Sequence, residues 1–178
     1  TKHIIETASK SEIVQKQLLD EDVNVFSGKK FDDEEKNSGL DFEDMISIDE
    51  DMLVIAGDNV LDFSLVKFIN YAKEKKTSCV FRYFEERLEK LKKAGVLVVD
   101  ENDKILEMAE KPQQPKSNWA CPPFYYYTKE DTRLVKKGIE LGCGTDAPGS
   151  YIAWLCNQTT VHAMIMPGSR YDIGDLKS

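Results

Sequence analysis

Residues 52–56, Met-Leu-Val-Ile-Ala, form an unbroken apolar run that stops abruptly on Gly57-Asp58-Asn59. Five successive apolar residues leave no polar side for water, so the run reads as a strand buried on both faces, inside an α/β sheet. A helical pattern follows at 65–75, with Leu65, Phe68, Ile69 and Ala72 inward and Lys67, Lys73 and Glu74 outward. Ser64 stands where it could cap that helix. The β-rich stretch 77–84 comes next. Strand, helix, strand predicts a right-handed crossover and a parallel pair.

The remaining pattern extends the same architecture. A charged helical segment at 85–93 ends near Gly95, and apolar runs at 95–100 and 104–109 flank Glu101-Asn102-Asp103, the signature of a hairpin inserted into an α/β fold. A β segment is expected at 124–127, then a helix from 129 to about 141 stopped by Gly142. A second helix starts near Asp146-Ala147-Pro148, where proline suits the first turn, and includes Tyr151, Ile152, Trp154 and Leu155. Residues 160–166 read as the final strand. Upstream, 10–20 reads as a short helix, 23–26 as a brief strand and 27–51 as a charged, solvated loop. Two regions are therefore expected: an acidic N-terminal segment, 1–51, and an α/β domain, 52–178.

Charge excludes one class of partner. The net −8 of the 178 residues is uneven, with 15 acids against 6 bases in residues 1–51 and 17 against 18 thereafter. Neither part has the basic surplus that nucleic acid demands. No apolar run is long enough to span a bilayer and no signal-peptide pattern opens the chain. Cys79, Cys121, Cys143 and Cys156 stand apart without a CxxC pair, which predicts reduced thiols in a cytoplasmic protein.

Three strand ends carry the chemistry. Asp58 ends the 52–56 run, Glu110-Lys111-Pro112 ends the hairpin, and Asp172-Ile173-Gly174 lies beyond the 160–166 run. Open α/β sheets bind ligands along the carboxyl edge of their strands. Asp58, followed by Asn59, offers hard oxygen ligands for magnesium, and Asp172 could complete the site. Lys111 is a point charge suited to a phosphate monoester, while Glu110 can accept hydrogen bonds from vicinal hydroxyls. Gly57, Gly95 and Gly174 would let backbone approach a ligand closely. Metal, lysine and hydroxyl acceptor describe a sugar phosphate meeting a nucleotide. The aromatic cluster of Trp119 and Phe124 to Tyr127 reads as core packing ahead of a ligand platform, and His162 as a structural strand residue.

These stretches resemble the sugar-1-phosphate nucleotidyltransferases, the glucose-1-phosphate thymidylyltransferase type in particular. The landmarks are Leu53 to Asn59, Gly95 to Asp100, Glu110 to Asn118, Asp146-Ala-Pro-Gly149 and Asp172-Ile-Gly174. The resemblance implies a Rossmann-like α/β fold with a mixed sheet, of the nucleotide-diphospho-sugar transferase type. It implies a magnesium-dependent enzyme that joins a nucleoside triphosphate to a sugar 1-phosphate. Asp58 and Asp172 would bind magnesium; Glu110, with Gly95 and Asn59, the sugar; Lys111 the sugar phosphate. Asp58, Lys111 and Asp172 would form the catalytic set. The implied partners are the two substrates, without nucleic acid or membrane, and a homo-oligomer is left open. The family's glycine-rich Gly-x-Gly-Thr-Arg triphosphate loop is not found before Asp58, and 1–48 matches none of its motifs. Cys121-Pro122-Pro123 and Ala94 also depart from the pattern. An incomplete or divergent N-terminal part is therefore expected. It leaves a second reading open, a non-catalytic relative that binds sugar phosphate or serves assembly.

Overall fold

The computed structural model describes residues 24–28, 46, 48–56, 59–144 and 147–172, with backbone alone for 24–28, 148 and 172. The helix expected at 10–20, most of the 27–51 loop, and Gly57, Asp58, Asp146 and Gly174 lie outside the described residues. Ten strands are seen among the described residues: β1 (Asn24–Gly28), β2 (Met52–Ala56), β3 (Asn59–Leu61), β4 (Ser78–Phe84), β5 (Gly95–Val99), β6 (Ile105–Glu110), β7 (Trp119–Cys121), β8 (Phe124–Tyr127), β9 (Val161–Ile165) and β10 (Arg170–Asp172). Helices are α1 (Val66–Lys75), α2 (Leu88–Leu91), α3 (Lys129–Thr132), α4 (Val135–Glu140) and α5 (Pro148–Leu155).

The main sheet runs β1-β2-β8-β4-β7-β5-β6, with β9 on the other side of β4, and β3 and β10 form a separate ribbon. Its centre follows directly from the apolar runs. Leu53, Ile55, Cys79, Phe81, Phe124 and Tyr126 face one core, packed under α1 by Leu65, Phe68, Ile69 and Ala72. The alternate residues Met52, Val54, Val80, Tyr125 and Tyr127 face a second core with Tyr151, Ile152 and Leu155 of α5. Both faces are covered, which is why β2, β8 and the 79–81 stretch of β4 carry only apolar and aromatic side chains. The tyrosines of β8 are core, at 4%, 1% and 1% exposure for Tyr125, Tyr126 and Tyr127. Ser64 accepts from the Val66 N–H at 3.2 Å, as its position foretold.

Several expectations need correction. β2 and β4 run in the same direction but are not paired, because β8 lies between them and bonds antiparallel to both. The parallel partner of β4 is β9, from Ser78↔Val161 to Arg82↔Ile165, and β1 is parallel to β2. Strand β9 is followed by β10, so it is not the last. The 129–141 helix is two short ones. Asp131's carbonyl accepts the Leu134 N–H at 3.1 Å and also the Tyr151 hydroxyl, which favours a tight i→i+3 turn over a continued α-helix. The 85–93 segment holds only one turn, Leu88–Leu91, because Glu85 is committed to Arg87 ahead of it.

The β5–β6 hairpin forms as expected and extends the sheet through β7 rather than standing apart from it. Its turn is closed by the Asp100 carboxylate, which accepts the Asn102 and Lys104 N–H groups at 2.9 Å each. Buried Arg82 of β4 pins the same turn by pairing with Asp103, and its guanidinium lies 4.6 Å over the Trp119 ring.

Glu85 supplies a pH test of the fold. Its carboxylate accepts the Arg87 Nε and Nη2 at 2.7 and 2.8 Å, and the Arg87 side chain holds its pKa down at about 2, below the usual 4.5. A depressed carboxylate adds stability that is fully present above its unfolded pKa and is lost as pH falls through the folded one. Wild type should therefore melt above Glu85→Gln at neutral pH, with the gap closing between pH 4.5 and about 2. A gap that is unchanged across that window would count against the ion pair.

Candidate active site

The site is built where the sheet divides. Four residues of β4, Val80 to Tyr83, lie opposite six of the antiparallel strand, Tyr125 back to Ala120. The extra length is the Cys121-Pro122-Pro123 stretch. Prolines have no N–H for a ladder, so the strand breaks there into β7 and β8. On one side of the break β2 pairs with β8 and ends as the Ala56 N–H donates to the Pro123 carbonyl at 3.1 Å. On the other side β5 pairs with β7 and begins as Gly95 faces Cys121. The end of β2 and the start of β5 thus flank one short fork, and the motif that departs from the family pattern is what opens it.

Glu110 closes one wall. It is the last residue of β6 and lies opposite Gly95 in register. A Cβ on Gly95 would meet Glu110 Oε2 at 3.1 Å, Met108 Cε at 2.6 Å and Cys121 Cβ at 3.4 Å. A Cβ on Gly149, near the start of α5, would meet Glu110 Oε2 at 2.1 Å and Met108 Cε at 3.0 Å. The carboxylate is therefore held between two bare backbones that only glycine allows to come so close. Gly149 lies in the Asp-Ala-Pro-Gly motif, yet its contact with Glu110 was not legible there, since 38 intervening residues separate the two positions.

Lys111 follows directly, exposed and with φ +46°, a left-handed conformation uncommon for lysine. Its N–H donates to the Ala94 carbonyl at 3.0 Å, which fixes the turn that carries it past the start of β5. Among the described residues Lys111 has no ion-pair partner. Removing its charge should therefore leave the melting temperature within about 1–2 °C, the behaviour of an exposed surface substitution. A larger fall would show that Lys111 is structural.

The other wall is the β3–β10 ribbon, which sequence reading missed because each strand is three residues long. Asp172 faces Asn59 in register, and Asn59 is the residue that follows Asp58 in the sequence. The Asn59 side chain donates to the Ala56 carbonyl at 3.4 Å and accepts from Arg170, which ties the ribbon to the end of β2. Among the described residues no group of three or more His, Cys, Asp and Glu could hold a metal. The Asp58 residue and the Asp172 side chain lie outside them.

Burial dominates the local titration. The Cys121 thiol and the Tyr125 hydroxyl are pushed up chiefly by burial, with Glu110 reinforcing the shift and Arg170 opposing it. All four cysteines are free, and Cys79 is raised to about 12 by burial, so none is poised as a nucleophile. His162 bonds Thr77 Oγ1 at 2.8 Å on β9 and serves structure. No helix of the described residues is long and apolar enough to cross a membrane.

Comparison with known proteins agrees with this frame. The chain is 28% identical over 91 residues to a glucose-1-phosphate adenylyltransferase of Clostridium acetobutylicum, covering 51% of this chain and 23% of that one. It is 31% identical over 81 residues to the UTP–glucose-1-phosphate uridylyltransferase of Haloferax volcanii, covering 46% and 33%. The chain spans about a fifth to a third of the length of the curated relatives it matches. Its fold is that of a UDP-glucose pyrophosphorylase solved with UDP-glucose, at TM-score 0.63 and 22% identity over 76% of this chain and 55% of that one. A putative glucose-1-phosphate thymidylyltransferase from Bacillus anthracis gives TM-score 0.59, at 22% identity over 80% and 58%. The model of the nucleotidyl transferase family matches residues 1–178, so the N-terminal stretch without recognisable motifs also falls inside the family. The chain belongs to the nucleotidyl transferase family, the sugar-1-phosphate nucleotidyltransferases that its strand-end motifs resemble.

Proposed function

We propose that this protein joins a nucleoside triphosphate to a sugar 1-phosphate, with release of pyrophosphate, and that the fork between β2 and β5 is where the sugar phosphate sits. The observation that carries this reading is the Glu110 carboxylate, held against the backbones of Gly95 and Gly149 and followed at once by Lys111. A carboxylate in a glycine-walled recess accepts hydrogen bonds from sugar hydroxyls. The adjacent lysine then meets the phosphate.

In the reaction a phosphate oxygen of the sugar 1-phosphate attacks the α-phosphorus. A new P–O bond forms as the bond to the β,γ-pyrophosphate breaks, and the pyrophosphate leaves with the electron pair. No covalent enzyme intermediate is required. The chain's task is alignment and neutralisation, which is most of what enzymes contribute to phosphoryl transfer. Glu110 and Gly95 orient the sugar, Lys111 holds its phosphate, and Asn59 is fixed to the end of β2 through the Ala56 carbonyl.

Asp58 and Asp172 are the residues that would hold a magnesium ion, since carboxylate oxygens are the donors that ion prefers, and Asp172 faces Asn59, the residue after Asp58 in the sequence. When bound there, magnesium would neutralise charge on the triphosphate. Free sugar 1-phosphate and nucleotide are substrates of the cytoplasm, which is the compartment we assign. Self-association remains part of the same reading.

The test is pyrophosphate release by the native full-length protein, supplied with magnesium, a hexose 1-phosphate and each common nucleoside triphosphate in turn. At least one combination should give turnover. Silence with all of them, from folded protein, would sink the enzyme reading. In Lys111→Ala the KM for the sugar phosphate should rise about tenfold or more, the scale of a lost hydrogen bond between charged groups.

A further inference from the structure

The strand-end motifs supply one cation, Lys111, for a substrate that carries more than one charge. A phosphate monoester holds about 1.5 to 2 negative charges at neutral pH. A second cation is present at the fork, on the ribbon rather than the hairpin. Arg170 begins β10, half-buried, with Nη1 donating to Asn59 Oδ1 and the guanidinium 5.8 Å from the Tyr83 ring. Asn59 is itself bonded to the Ala56 carbonyl at the end of β2.

The two sides of the fork present these groups from opposite faces of the sheet. Glu110 sits beside Met108 and Cys121, on the face of the core that also holds Val80 and Tyr125. Tyr83, three residues beyond Val80 on β4, lies on the other face with Leu91 and Val96. Arg170 packs on that ring, and Tyr83 faces Ala120, the residue before Cys121, in register; the other partner of Arg170, Asn59, is bonded to Ala56, whose N–H meets the Pro123 carbonyl. Arg170 and Glu110 thus converge on the break at Cys121.

We propose that Arg170 is a second phosphate-binding residue of this site, gripping the phosphoryl group of the sugar 1-phosphate from the ribbon side while Lys111 meets it from the hairpin side. This rests on the reading of the fork as the sugar-phosphate site. The side chain is suited to the task. Its planar guanidinium carries five N–H donors and matches a phosphate with two parallel hydrogen bonds, which a lysine cannot do. Asn59 and Tyr83 hold the plane in advance, so little side-chain freedom is lost when the oxyanion arrives. A role confined to stapling β10 to β3 would leave the affinity for a neutral sugar and for a sugar phosphate equally affected. A phosphate contact separates them.

The experiment is calorimetric titration of the folded protein with glucose 1-phosphate and with glucose, for wild type, Arg170→Gln and Arg170→Lys. The glutamine variant should bind glucose 1-phosphate at least about tenfold more weakly, with a shallower salt dependence, and the lysine variant should fall between. Its affinity for glucose should be unchanged. Wild-type affinity for glucose 1-phosphate in Arg170→Gln would overturn the assignment while leaving the site itself standing. Absence of binding by wild type would overturn the site and Arg170 with it. If the glutamine variant fails to fold, phenylglyoxal modification of Arg170 in the wild-type protein serves instead. Glucose 1-phosphate should slow it and glucose should not; equal rates would reject the proposal.

Discussion

Gly149→Ala should cost about 100-fold in kcat/KM for the sugar phosphate while the protein stays folded. The added Cβ would stand 2.1 Å from Glu110 Oε2 and 3.1 Å from its Cδ, so the carboxylate must leave its position by about an ångström to restore ordinary contact. Displacement of a substrate-positioning group on that scale is worth roughly 100-fold in rate. The backbone does not object, because Gly149 lies in the first turn of α5 and is not in the left-handed region. Alanine in a helix is better than glycine by about 1 kcal/mol, which offsets part of the crowding against Met108. The signature is therefore a loss of turnover without a matching loss of melting temperature, read by steady-state kinetics beside thermal unfolding. Gly149→Ala with wild-type kcat/KM would show that Glu110 has no part in substrate alignment.

The largest effect on stability is expected from Phe68→Ala, about 3–5 kcal/mol in urea unfolding. Phe68 is fully buried, and its ring is stacked on that of Phe81 with centroids 4.1 Å apart. Phe81 in turn meets Phe63 and Phe124 edge to face at 5.5 and 6.1 Å. Truncation at Phe68 opens a cavity in the core where α1 packs on β4 and β8. The aromatic neighbours are fixed by strands on either side and can collapse only partly. A change below about 1 kcal/mol would mean that α1 is a loosely attached cover. The two variants also separate the roles of the two faces. The α1 face stabilises the sheet, whereas the α5 face carries Gly149 to Glu110.

The legible parts of this fold are those in which local pattern and burial coincide. Residues 52–56, 79–81 and 124–127 are apolar or aromatic on both faces, and that pattern has few solutions other than a central strand. The α1 stripe and the hairpin around Asp100–Asp103 were equally local, one set by a 3.6-residue period and the other by turn chemistry. The break of 129–141 into two helices was not legible. It depends on the Tyr151 hydroxyl reaching the Asp131 carbonyl across 20 residues of sequence. The pairing of β2 with β8 instead of β4 was hidden for a similar reason, since strand direction can be inferred from a crossover but the neighbour cannot.

For the site, residue types and their strand-end positions came from the sequence: Glu110, Lys111, Gly95 and Asn59 are all found around the fork, with Asp172 in register beside Asn59. The sequence by itself determined the central strands, α1 and the β5–β6 hairpin, and which polar groups stand at their ends, because apolar periodicity and turn chemistry act between near neighbours. The tertiary structure alone decided that Cys121-Pro122-Pro123 would split the sheet, that Gly149 would lie on Glu110, and that Arg170 would reach the same break. Those outcomes depend on register between distant strands, which is set by the sum of two cores and written in no single stretch of chain.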